Sequence, residues 1–214
     1  MYPEYKEVVD RLKAAGEWVF ARGLPDHPPF KSAAMAAERL LGYLPADASL
    51  LVMRDQALAP LREQVLRSGR RLVVPDKGGA QVFNVPPEAL GRGRFHGDTA
   101  KTRGLLKLGN VPRGSKRYTD HVTVVVVACL AFDPADPHLY SYDTERCALT
   151  LELLRDGSSP GFLLAETTPV ICLASDAQEV CNWPACARSY VQAHAVVTAT
   201  RFLRLPQLGC LNGS

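Results

Sequence analysis

Residues 121–132 read His-Val-Thr-Val-Val-Val-Val-Ala-Cys-Leu-Ala-Phe, an apolar run dominated by β-branched side chains. Side chains branched at Cβ are stiff at χ1 and fit a pleated strand better than a helix. The run shows no polar alternation, so both faces of the strand must be buried, as in the centre of a largely parallel sheet. Parallel neighbours need crossover connections, so the rest of the chain has to place helices between its strands. After the run come a turn-rich corner at 133–137, then the segment 138–147, then a leucine-rich helix over 148–155 that Asp156 and Gly157 bring to an end. In open α/β sheets, ligands bind in the loops that leave the carboxyl ends of the strands. Residues 133–147 are therefore the first place to look for function.

The other segments fit this plan. Residues 3–23 predict a helix, with Pro3 near its start and Gly23 just past its end. A proline-rich breaker at 24–29 separates it from a second helix over 30–41, whose Ala33, Ala36, Ala37 and Leu40 form a small-residue face suited to a sheet. Short apolar strands are predicted at 49–53, 70–75, 81–85, 168–174 and 193–199, with a helix at 60–68 stopped by Gly69. Residues 91–117 are rich in Gly, Arg and Lys and lack periodicity; they read either as a flap or as a surface meander. The class is α/β, a mainly parallel sheet with helices on both faces.

A chain of 214 residues, 47% hydrophobic, is consistent with one domain spanning 1–214: an N-terminal helix and linker over 1–27, a core over 28–204 and a tail over 205–214. A homodimer is compatible with that size. The net charge of +3 is mild, and the basic clusters at 67–71, 92–94 and 113–117 have no aromatics interleaved for stacking, which argues against nucleic acid as a partner. No apolar run approaches the roughly 20 residues that span a bilayer, and the charged N-terminus lacks a signal peptide's apolar centre. The expectation is a cytoplasmic protein without a membrane partner, whose six cysteines are thiols. Cys181 and Cys186 have no companion pair to complete a zinc site, and Cys129 and Cys172 lie inside apolar runs as packing residues.

An ordered set of short motifs resembles the 5-formyltetrahydrofolate cyclo-ligase family, especially its methenyltetrahydrofolate-synthase-like branch. The set comprises Phe30-Lys31-Ser32-Ala33 with Ala36, Ala37 and Leu40; Leu61-Arg62 with Leu66; and Gly69-Arg70-Arg71-Leu72-Val73-Val74-Pro75. Leu108-Gly109-Asn110-Val111-Pro112, Asp176-Ala177-Gln178 and Thr198-Ala199-Thr200-Arg201 complete it, so the likeness covers residues 28–204. The resemblance implies a fold similar to the sugar-phosphate isomerase and CoA-transferase group. It also implies ATP and magnesium as cofactors, if the family activity is retained: phosphorylation of the formyl oxygen of 5-formyltetrahydrofolate, then ring closure to the 5,10-methenyl form. Family members seat the triphosphate on a glycine loop after the central strand, where a Cβ would block the backbone's approach.

This chain departs from that loop. The positions matching the family's glycines are Asp136, Tyr140, Tyr142 and Thr144, its arginine matches His138, and its aspartate matches Cys147. Acidic side chains at Asp136, Asp143 and Glu145 would repel a triphosphate. The expectation is a divergent member that has lost ATP-driven cyclisation and binds, or acts on, a different small folate-like or heterocyclic ligand. The alternatives are an active cyclo-ligase with a rebuilt loop, or a structural or regulatory subunit.

Candidate residues follow, each with a plainer role beside it. Lys31, opening a helix, could meet a phosphate beside helical N–H groups, or be an exposed lysine. Arg62 has its family match against a surface role. Tyr140 and Tyr142, two apart on an extended segment, could stack on a flat ring or fill the space glycines vacated. His138 is a candidate acid or base, and Cys147 a candidate nucleophile at a helix start, with His138, His121 or His194 as its base. Asp133 and Asp136 could hold magnesium or stabilise a turn. Asp176 and Gln178 follow another strand end and are expected to line the pocket.

Overall fold

The computed structural model describes residues 3–20, 27–76, 81–85, 122–141, 144–157, 163–183 and 188–207. Tyr142, Asp143, His121, Cys186 and the segment 91–117 lie outside them, as do the side chains of Thr144, Glu145 and Arg146.

The first helix, α1 (Pro3–Ala14), buries Tyr5, Val8, Val9 and Leu12, the i, i+3, i+4, i+7 stripe of an amphipathic helix. It stops well short of Gly23. Gly16 takes a φ of +71°, a left-handed conformation that glycine adopts without a Cβ penalty, and Glu17 N–H returns to Leu12 O at 2.8 Å to close the end. Trp18 then bridges antiparallel to Phe30, and the second helix, α2 (Ala33–Tyr43), starts three residues later than its composition suggested. Ala33, Ala36, Ala37, Leu40 and Leu41 form its buried face. β1 (Ser49–Val52), a short 3₁₀ turn (Gln56–Leu58), α3 (Ala59–Arg67), β2 (Arg71–Pro75) and β3 (Val82–Val85) follow.

The apolar run does not form one strand. β4 (Val124–Ala128) is fully buried and central; the chain then leaves the sheet at Cys129 and Leu130, and Ala131–Phe132 is β5 of a second sheet. The exit has a physical cause. The Gln178 side-chain amide binds the carbonyls of Cys129 and Leu130, both at 2.9 Å, and Leu130 N–H donates to Tyr140 O at 2.7 Å. β6 (His138–Tyr140), α4 (Thr144–Arg155), β7 (Val170–Leu173), a 3₁₀ turn (Asp176–Gln178), β8 (Arg188–Gln192), β9 (Ala195–Val197) and β10 (Phe202–Arg204) complete the described elements.

The main sheet has seven strands in the order β10-β9-β7-β4-β1-β2-β3. Its five central strands are parallel, and β3 and β10 close the two edges antiparallel. All residues of β1, β4 and β7 are buried, and since successive side chains point to opposite faces, both faces of the sheet are covered. The chain is thus α/β with a mainly parallel sheet. The second sheet is antiparallel, in the order β5-β6-β8, and α4 packs on β8. No helix among the described residues is long and apolar enough to cross a membrane.

From β1 the chain winds outward through β2 and β3, whereas from β4 it winds the other way through β7 and β9. The crevice between the carboxyl ends of β1 and β4 is therefore the topological switch point, where open α/β sheets bind their ligands.

Candidate functional site at the switch point

Three polar side chains from distant parts of the chain meet at this crevice. Asp55 follows the carboxyl end of β1, His27 comes from the proline-rich linker and Ser141 directly follows β6. His27 Nδ1 lies 2.5 Å from Asp55 Oδ1, and His27 Nε2 lies 2.7 Å from Ser141 Oγ. His27 and Ser141 are 5% and 6% exposed, so the chain of bonds is buried except at its Asp55 end, which is 21% exposed.

Burial alone would push the Asp55 carboxyl up. The charge that His27 carries when protonated, its hydrogen bond and the positive charge of Arg62 nearby outweigh it and hold the carboxyl below its ordinary value. When His27 is neutral, the ionised Asp55 accepts a hydrogen bond from Nδ1–H, which leaves the His27 Nε2 lone pair to accept from the Ser141 hydroxyl. The arrangement is a carboxylate–imidazole–hydroxyl relay, able to draw the proton from Ser141.

Arg62 secures the relay from below. It sits in α3 and is 1% exposed, which overturns the surface role that its sequence position left open. One terminal nitrogen donates to Met53 O at 2.6 Å and to Asp55 O at 3.1 Å, pinning the backbone that carries the Asp55 side chain. Burial pushes its guanidinium down to about 10 against the raising pull of Asp55, and Arg54 lowers it further. Its guanidinium thus binds the loop after β1 rather than facing out to a ligand.

Beside the relay lies a small void with about 10 Å³ of water-accessible space, walled by His27, Ser141, Cys147, Ser189, Ala128 and Leu139 among others. Cys147, expected near His138, His121 or His194, instead shares this void with His27. His138 itself is bound elsewhere: its Nδ1 pairs with Asp136 Oδ1 at 2.7 Å and its Nε2 lies 3.2 Å from the Gln192 side chain. His194 Nδ1 accepts from Val170 N–H at 3.1 Å.

The remaining expected residues are occupied by the fold. Tyr140 is 2% exposed, with its ring centroid 5.9 Å from that of Trp183. Asp133 accepts from Ala135 N–H with one oxygen and from Asn182 N–H with the other, while Asp136 Oδ1 accepts from the backbone and ring of His138. No group of three or more His, Cys, Asp or Glu that could hold a metal occurs among the described residues. Lys31 is exposed just before α2, where the nearby Ser32 N–H already receives an anion, the carboxylate of Glu17 at 2.8 Å.

Asp176 and Gln178 lie on the rim but serve it structurally. Gln178 forms a capping box with Ser175 and binds the exit of β4 as described. Asp176 Oδ1 accepts from Thr198 Oγ1 and Thr200 Oγ1, both at 2.8 Å, and from Arg201 Nε at 3.1 Å. Arg201 also pairs with Glu179. Burial tends to raise the Asp176 carboxyl, but the Thr198, Thr200 and Arg201 bonds together keep it below its ordinary value.

His27, Asp55 and Ser141 were not singled out from the sequence. His27 reads as part of a helix breaker, and Ser141 lies between two tyrosines that draw the attention. One available signal was positional: Asp55 follows a buried strand at its carboxyl end, the same rule that directed attention to the loop after β4. No family model matches the chain, and no curated protein matches it at a significant level.

Proposed function

We propose that the chain is a divergent cyclo-ligase-like protein that does not carry out ATP-driven cyclisation and takes a different small heterocyclic or folate-like ligand at the switch-point crevice. The observation carrying this reading is the state of the backbone over residues 138–140. A triphosphate cradle needs bare N–H groups free to turn toward oxygen. Here β6 is the middle strand of an antiparallel sheet, bonded to β5 on one side and β8 on the other. Its main-chain groups are engaged in ladders, and the buried Tyr140 ring fills the space beneath it. Opening that loop for ATP would break two strand pairings and expose a core aromatic. His27, Ser141 and Cys147 offer hydrogen-bonding groups at the crevice beside a void with room for about one water, so a ligand there would meet them with one small polar group at its edge.

The test is direct. Purified protein is incubated with 5-formyltetrahydrofolate, ATP and magnesium while methenyl absorbance is followed; no turnover is expected, and robust turnover overturns the reading. Calorimetry should then show no heat with ATP and a saturable heat with a reduced folate or a related heterocycle.

A further inference from the structure

We propose that Ser141, His27 and Asp55 form a nucleophilic triad that hydrolyses small carboxylic esters or thioesters through a Ser141 acyl intermediate. The relay has the connectivity such chemistry needs: carboxylate to Nδ1, Nε2 to hydroxyl, at 2.5 and 2.7 Å. That constellation is recognised by geometry and roles rather than by order along the chain or by fold. Its three members lie 28 and 114 positions apart, so no local turn preference explains their meeting. They also stand at the topological switch point rather than at an arbitrary place in the core. The chain also borders a void with room for about one water, beside the Ser141 hydroxyl.

The step balances as follows. Ser141 Oγ forms a bond to the carbonyl carbon while its proton passes to His27 Nε2, and the C=O electron pair moves onto oxygen. Ser189, whose Oγ accepts Val191 N–H at 3.1 Å, has a hydroxyl proton to donate at the wall of the same void, where the oxyanion forms. Collapse breaks the bond to the leaving alkoxide or thiolate, which takes the proton from His27. Water then gives a proton to His27 and attacks the acyl carbon. The carboxylic acid leaves as Ser141 recovers its proton. Asp55 touches His27 and not the substrate; it is a positioning residue that fixes the tautomer and offsets the charge on the ring. The void has room for about one water, so only the smallest acyl groups are expected to react and long chains to be rejected.

The experiment uses the full chain. Methanesulfonyl fluoride is added, the modified residue is mapped by peptide mass spectrometry, and hydrolysis of p-nitrophenyl acetate and p-nitrophenyl octanoate is followed. Expected are a single adduct on Ser141, acetate turnover well above the rate with free imidazole, and little turnover of octanoate. Ser141→Ala should abolish both adduct and turnover while keeping the wild-type circular dichroism spectrum. His27→Gln should lower the rate by about 100-fold to 10,000-fold, the usual share of a general base. Asp55→Asn should lower it and also change its pH profile, which a merely structural role would not do. A wild-type protein with no adduct and no turnover overturns the proposal, as does an adduct on Cys147 in place of Ser141, or turnover that survives Ser141→Ala. None of these outcomes depends on folate or ATP, so the triad and the proposed function fail or stand separately.

Discussion

The Oδ1 atom of Asp55 lies 2.5 Å from Nδ1 of His27, joining the carboxyl end of β1 to a linker that precedes it by 28 positions. The contact makes His27, with the prolines that follow it, part of the buried interior. It also ties the ionisation of one half-buried carboxyl to the stability of the crevice.

The first prediction concerns acid. Asp55 is held below its ordinary value in the folded protein, whereas in the unfolded chain it returns to about 3.9. Its contribution is therefore complete above about pH 4 and lost as pH falls through the lower folded value. Asp55→Asn should cost about 2 kcal/mol at pH 7, the range for a hydrogen bond to a charged group. That gap should narrow at pH 3. Urea unfolding of both proteins at the two pH values measures it, and an equal gap at both would mean that the carboxylate's charge is not what matters.

Arg62 gives the second. Its guanidinium donates to two backbone carbonyls and lies near Asp55 in a region closed to water. Arg62→Met keeps the length of the stem, but it strands the carbonyls of Met53 and Asp55 and leaves the carboxylate without its nearby cation. A loss of about 3–5 kcal/mol is expected, as for removing one member of a buried charged pair. Lysine should rescue it only in part, since its ammonium has donors for both carbonyls but sits on a stem one bond shorter than the Nη1 that reaches them. A surface arginine would give a change within about 0.5 kcal/mol, so denaturant midpoints separate the two roles cleanly.

Much of the fold was legible because burial on two faces leaves a plain trace in sequence. The valines of β4, the Leu50–Leu51 pair of β1 and the Ile171–Cys172 pair of β7 all lie in apolar runs without alternation. The ends of elements were harder to see. Gly16 and Gly23 offer the same stop signal to α1, and only the bridge between Trp18 and Phe30 favours the earlier one. The break after Ala128 depends on Gln178, 49 and 48 positions away from the carbonyls it binds, and no local pattern encodes that. The relay was hidden for the same reason. His27, Asp55 and Ser141 are ordinary polar residues in three unremarkable loops, and their chemistry exists only once the crevice brings them together.

The Gln178 bonds lead to the third prediction. Its side chain satisfies Cys129 O and Leu130 O and receives Ser175 N–H at 2.7 Å, all within the buried core. Gln178→Ala would leave these groups without partners where water cannot replace them, at about 1–3 kcal/mol for each group that stays unsatisfied. Because those carbonyls mark the point at which the chain leaves one sheet for the other, hydrogen exchange should rise first at Leu130 and at the β5–β6 pairing. Uniform loss of protection across the main sheet would place the effect elsewhere.

Tyr140 carries the last. Its ring lies against Trp183, and its backbone carbonyl accepts from Leu130 N–H, so the side chain fills the core at the point where β5 and β6 pair. Tyr140→Ala should destabilise by about 3–5 kcal/mol, the usual cost of removing a buried large aromatic. Tyr140→Gly tests the link to a phosphate loop more sharply. If the missing glycines alone prevented nucleotide binding, this substitution would begin to restore it. The strand pairing argues otherwise, because the main-chain groups of β6 stay bonded to β5 and β8 whatever side chain Tyr140 is given. The expected result is a destabilised protein that gives no heat with ATP and magnesium in calorimetry. Saturable binding by the glycine variant would show that the side chain, and not the sheet, closes the site.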